Sequence, residues 1–215
     1  MSNYYMMDCW GLEGDEPTQK PLNANLDFDE DDLVQFFVGL PLRVNLPIPL
    51  DLEWDPEISG GGAAWEAFGK PSSGPRNQMG IRRQWVYPAN DPPLFHQEII
   101  SAFRECGVDN FQAFETRITD AYSGEICCDY LAVNFLGLVK AADPLKSNAV
   151  THSEDGLIDT DFEPVSINET ATHGLLLFRM AECVTALVVH VRVKEHLEAK
   201  GGFELVFTPP EKWIG

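Results

Sequence analysis

Apolar positions along this chain change period several times, and each change marks an element. In "DFDEDDLVQFFVGLPL", Asp27 to Leu42, the residues Leu33, Phe36, Phe37 and Leu40 recur at helical spacing. Asp29 serves as N-cap, Glu30, Asp31 and Asp32 fill the first turn where the helix dipole favours negative charge, and Gly39 with Pro41 ends the helix. A proline-punctuated stretch then gives way to alternation in "LDLEWDPE". This sets Leu50, Leu52 and Trp54 on one face, with Asp51 and Glu53 on the other. Residues 58–80 are rich in Gly, Ser and Pro and predict a long loop.

Beyond residue 90 the pattern is more regular. Asp91 caps a helix opened by Pro92 and Pro93, which turns Phe95, Ile99, Ala102 and Phe103 inward and stops at Gly107. "NFQAFETRI" predicts a strand, "DAYSGE" a turn, and the apolar run from Asp129 a second strand. That run ends at Asp143–Pro144, read as a turn in which Ser147 supplies a local backbone hydrogen bond. In "TALVVHVRV", Val189, Val191 and Val193 alternate with His190 and Arg192. "KEHLEAK" predicts a short helix closed by Gly201 and Gly202, and "FELVFTP" a last strand. There is no internal repeat. The order predicts an α+β fold, a mixed or largely antiparallel sheet with a few packed helices, rather than regular βαβ alternation. It divides the chain into an acidic N-terminal region, 1–90, and an α+β core domain, 91–215.

Composition supports a substantial core, with 44% of the 215 residues hydrophobic. Charge changes the picture more. The formal net charge is −19, and residues 1–60 carry 13 acids against 2 bases. Such a surface repels the phosphates of nucleic acid and anionic membranes and points to a cationic partner. The start, "MSNYYMMDCW", lacks the basic and apolar regions of a secretory signal. No apolar run reaches the ~20 residues of a membrane helix, so the cytoplasm is the expected location.

The usual catalytic patterns do not form. "FGKPSSG" fails as a phosphate-binding loop, because Ala64 stands five residues before Gly69 and Pro71 follows Lys70. Neither GxSxG nor HExxH occurs. Cys9, Cys106, Cys127, Cys128 and Cys183 are odd in number and lack metal-ligand spacing, so buried, inert thiols are expected, with no metal and no cofactor. His152 and His173 fall in loops, and His190 and His196 are separated by a strand-to-helix junction. Each reads as a solvated or locally bonded histidine. The "NET" at Asn168 signifies a glycosylation site only in a secreted protein.

The order "FRECGVDNFQAFETRI", "DYLAVNFLGLVKAADPLKS", "LLLFRM", "ALVVHVRVKEHLEAKGGFELVFTP" resembles Immunity protein family 11, bacterial proteins encoded beside polymorphic toxins. Gly107, Asn110, Tyr130, Asn134, Asp143, Ser147, Phe178, Arg179, Phe207 and Pro209 carry the likeness, which spans roughly residues 95–213. It implies a non-enzymatic inhibitor that binds one cognate toxin from an adjacent gene, and it supplies no catalytic residues. Together with the charge, it points to a basic effector, nucleases with cationic clefts being one such class. The candidate contacts are the densest acids: Asp27, Asp29, Glu30, Asp31 and Asp32, then Asp51, Glu53, Asp55 and Glu57 with Trp54. Trp54 reads first as a core residue and, if exposed, as an interface anchor. Two other readings stay open. One is a hydrolase-like enzyme assembled from scattered acids and histidines. The other is a small-ligand-binding regulatory protein, which a deep apolar cavity would mark.

Overall fold

The computed structural model describes residues 2–8, 23–26, 35–36, 39–41, 48–53, 83–86, 93–120, 126–154, 156–157 and 159–215. The architecture is α+β, with, among the described residues, two ten-residue helices and strands in mixed and antiparallel sheets. The central five-stranded sheet comprises β1 (Tyr4–Asp8), β9 (Leu138–Val139), β12 (Leu177–Met180), β13 (Leu187–His190) and β15 (Val206–Thr208). Its order is β15-β1-β13-β12-β9, antiparallel except where β12 meets β9. Both faces are covered. Met7, Leu177, Leu187 and Val189 enter a core with helix α1 (Gln97–Cys106) and helix α2 (Val191–Lys200). Tyr4, Met6, Phe178, Met180 and Val188 enter a second core with Ala141, Phe162, Val165 and Ile167. Each fully buried Leu, Val, Met or Phe contributes about 1.5–3 kcal/mol, so this doubly covered sheet is the mechanical centre.

A second, larger sheet contains β2 (Asn23–Leu26), β3 (Ile48–Glu53), β4 (Arg83–Val86), β5 (Leu94–His96), β6 (Phe111–Asp120), β7 (Ile126–Cys127), β8 (Tyr130–Phe135) and β14 (Phe203–Glu204). Its path runs β14-β4-β5-β8-β6-β3-β2, with β7 also on β6. Strands from residues 1–90 thus complete both sheets. Backbone hydrogen bonds cross the boundary expected near residue 90. A hairpin of β10 (Ala149–Thr151) and β11 (Thr160–Phe162) stands apart as a two-stranded sheet.

Several expected elements begin or end elsewhere. Leu94–His96 is a strand between β4 and β8, so Asp91, Pro92 and Pro93 do not open the helix. The carbonyl of Pro93 accepts from Val133 N at 2.9 Å, and α1 starts at Gln97. Phe95, Ile99, Ala102 and Phe103 are nevertheless buried, and Gly107 ends the helix at φ 89°. The valine alternation does not continue as strand past His190. Val191 N donates instead to Asn3 O, and Val193 and Leu197 face the core at helical spacing. "FELVFTP" divides between two sheets, β14 joining β4 and β15 joining β1.

Residues 35–36 are helical, and the expected stop at Gly39 is present. Gly39 N donates to Phe36 O and Leu40 N to Gln35 O, with Gly39 at φ 68°, a Schellman ending. A Cβ on Gly39 would lie 2.7 Å from Gly137 N, so glycine alone permits this backbone crossing.

Candidate functional site

The contact residues proposed from sequence mostly lie outside the described residues: Asp27, Asp29, Glu30, Asp31, Asp32, Trp54, Asp55 and Glu57. Asp51 and Glu53 sit on β3, opposite Asn25 and Asn23 of β2, and Asp51 is also in register with Thr119 of β6.

The described histidines occupy structural or exposed positions. His96 and His190 are each the last residue of a strand and the cap of the helix that follows. Nδ1 of His96 accepts from Glu98 N at 3.3 Å, and Nδ1 of His190 from Arg192 N at 3.2 Å. Each ring meets a tyrosine edge-on, Tyr130 for His96 and Tyr4 for His190. A helix start leaves backbone donors unmet, and a ring nitrogen satisfies one of them. His196, on α2, lies 3.0 Å from Glu105 of α1, whose carboxylate also takes Lys200 Nζ. Lys200, then His196, hold the Glu105 carboxyl below its usual range. Neighbouring Cys106 is pushed up by burial, the opposite of an activated nucleophile. His173 is exposed at φ 52°.

Burial likewise raises the Cys183 thiol, in keeping with the inert thiols expected. Cys128 is exposed and departs from that expectation, because it lies just past the end of β7. Among the described residues, no cluster of His, Cys, Asp and Glu could hold a metal. No described helix is long and apolar enough to cross a membrane.

The positions named in the resemblance have fold-holding contacts. Asn110 Nδ2 donates to Leu177 O at 3.0 Å, joining the end of α1 to β12. Asn134 Nδ2 reaches Leu40 O at 2.8 Å. Arg179, only 2% exposed, donates from Nη1 to Phe36 O at 2.9 Å and lies 4.0 Å from the Phe36 ring centroid. A guanidinium suits this place, since it has planar faces for stacking and a donor edge for a carbonyl. Asp143 forms the expected turn, its Oδ1 accepting from Leu145 N, with Lys146 holding its carboxyl below the usual range. Ser147 closes this turn through its backbone, Ser147 N donating to Asp143 O at 2.9 Å, and its hydroxyl also bonds Ser166, nineteen residues on, which joins two loop segments.

Sequence reasoning missed the surface that stands out. In "DTDFE", Asp159, Asp161 and Glu163 are exposed while Thr160 and Phe162 are buried, so the three acids share the outer face of β11. Val150, 60% exposed, lies directly across from Asp161. Ile214, 71% exposed, joins both beside an open hollow of about 340 Å³. Leu145, at the root of the hairpin, is 94% exposed. Residues 143–163 contain six acids and one lysine. The period-two pattern was available in the sequence, but these acids are dispersed rather than in a run. His152 bonds Asp161 at 2.9 Å, and that carboxylate raises the imidazole above its ordinary value.

No family model and no curated protein matches this chain.

Proposed function

We propose that this chain is an immunity protein that binds and neutralises a cationic bacterial toxin by direct contact in the cytoplasm of the producing cell. One observation carries this reading: Val150 and Ile214 stand exposed beside Asp161 and Glu163, with Asp159 exposed two residues before Asp161. Exposed apolar side chains give a contact its desolvated centre, and surrounding charge selects and steers the partner. The net charge of −19 extends that attraction over the surface. The acids at 27–32 and 51–57 add to it. The resemblance to Immunity protein family 11 supplies the biological setting, with the toxin encoded by the adjacent gene.

The test is co-purification with the product of the adjacent gene, paired with growth rescue from that product's toxicity. The expected result is rescue together with a complex that weakens as salt rises. Rescue without a stable complex would favour an enzyme acting on the toxin's product or target. The absence of both binding and rescue would overturn the proposal.

A further inference from the structure

From the hydrogen-bond register of the hairpin we infer that β10 is a docking strand, which an extended cationic segment of the partner joins by β-strand addition. This rests on the reading as a binder of a cationic protein and adds how that partner is held. Phe162 exchanges backbone hydrogen bonds with Gly215, and Thr160 N donates to Glu182 O, so β11 turns both residues away from β10. Their opposite numbers, Ala149 and Thr151, must therefore direct their own N–H and C=O groups away from β11. The flanking bonds agree with this register: Glu163 N donates to Asn148 O and His152 N to Asp159 O. Ala149, Val150 and Thr151 are all exposed, and no described residue pairs with this outer edge. The other side of the hairpin is already closed at Phe162 by Gly215.

An unpaired strand edge is a template for another strand. The side chains around it choose the occupant. An incoming strand would lie about 4.8 Å beyond β10 and about twice that from β11. A lysine or arginine on its outer face would lay an aliphatic stem over Val150 and bring its charge to Asp159, Asp161 and Glu163. A second copy of this chain fits poorly, because it would set six acids and one lysine per hairpin against the same six and one.

The probe is a capped Lys-Val-Lys-Val-Lys peptide, compared with its Glu-Val-Glu-Val-Glu counterpart and with lysine peptides N-methylated at alternate residues in either phase. Amide NMR on the full chain reads binding and hydrogen exchange. The lysine peptide should bind and slow exchange at Ala149 and Thr151. Methylation in the hydrogen-bonding phase should weaken it about tenfold or more, since main-chain bonds supply affinity in strand addition. Val150→Asp, on an exposed face, should weaken it by a similar factor, and the glutamate peptide should not bind. Equal binding by both methylated peptides, or unprotected amides at Ala149 and Thr151, would overturn strand addition. Protection of those amides without peptide, with dimers in sedimentation, would make the occupant a second copy and overturn the cationic one. In the complex with the toxin, rescue without protection of those amides defeats this inference and leaves the immunity reading standing. Peptide addition at β10 without toxin binding or rescue does the reverse.

Discussion

At the end of β12, Arg179 and Glu182 are both buried, and the fold consumes their charge. Arg179 bonds Phe36 O and stacks on its ring, while Glu182 accepts from Ala141 N at 3.3 Å and Ala142 N at 3.0 Å. On β11, Asp159, Asp161 and Glu163 face water beside the exposed Val150 and Ile214. Charged residues on neighbouring segments therefore have opposite duties. A buried charge must be matched locally or it destabilises the fold. An exposed one adds little to stability and remains available to a partner. Net charge alone could not separate the two groups.

The sharpest way to break this contrast is Arg179→Leu. It strands a buried carbonyl contact and removes the cation from the Phe36 ring, terms that together cost roughly 3 kcal/mol or more. For a chain of this size that lowers Tm by on the order of 10 °C, read by thermal unfolding. Arg179→Lys should recover only part of the loss, because a lysine keeps the charge but not the stacking plane. A change of under a degree for Arg179→Leu would show that residues 35–40 are held without this contact.

Glu182→Gln comes next. Both carboxylate oxygens accept from backbone donors, and an amide offers one acceptor while turning an NH₂ toward the other donor. The expected loss is about 2 kcal/mol, the range for hydrogen bonds to charged groups. The same residue's carbonyl accepts from Thr160 N at the loop end of the hairpin, so protection at Thr160 should fall with global stability. Asp159→Asn on the outer face should leave thermal stability nearly unchanged. A large loss there would erase the distinction between consumed and available charge.

The same contrast explains what the sequence disclosed. The inward face of α1 was legible because Ile99, Ala102 and Phe103 sit on one side of an amphipathic helix. Its start was misplaced because Pro92 and Pro93 resemble a first turn, whereas pairing of β5 with β8 decides the matter over a distance in sequence. "VVHVRV" alternates as a strand should, yet His190 caps a helix within it. β1 gave no signal, since "YYMM" buries residues on both faces and alternation then vanishes. Arg179 could be named but not understood, for its partner Phe36 lies 143 residues away. The hairpin was overlooked because strands of three residues are too short to outweigh the acidic runs near the N-terminus.

The smallest effect lies on the available side of the contrast. His152 Nε2 and Asp161 Oδ2 are 2.9 Å apart, both exposed, and the carboxylate raises the histidine above its ordinary value of about 6.5. The folded state then binds the proton more tightly than the unfolded chain does. Any stability from the pair is fully present below the unfolded pKa and is lost as pH rises through the raised folded value. In Asp161→Asn the His152 midpoint, read by NMR of the ring protons, should fall back toward the ordinary value with no measurable change in Tm. Protonation also offsets part of the acidic face, so the lysine peptide should bind more tightly above the His152 midpoint than below it. A midpoint in the unaltered protein at or below the ordinary value would mean that the pair does not form in solution. Asp161 would then be wholly free for an incoming cation, and the pH dependence of peptide binding through His152 should disappear.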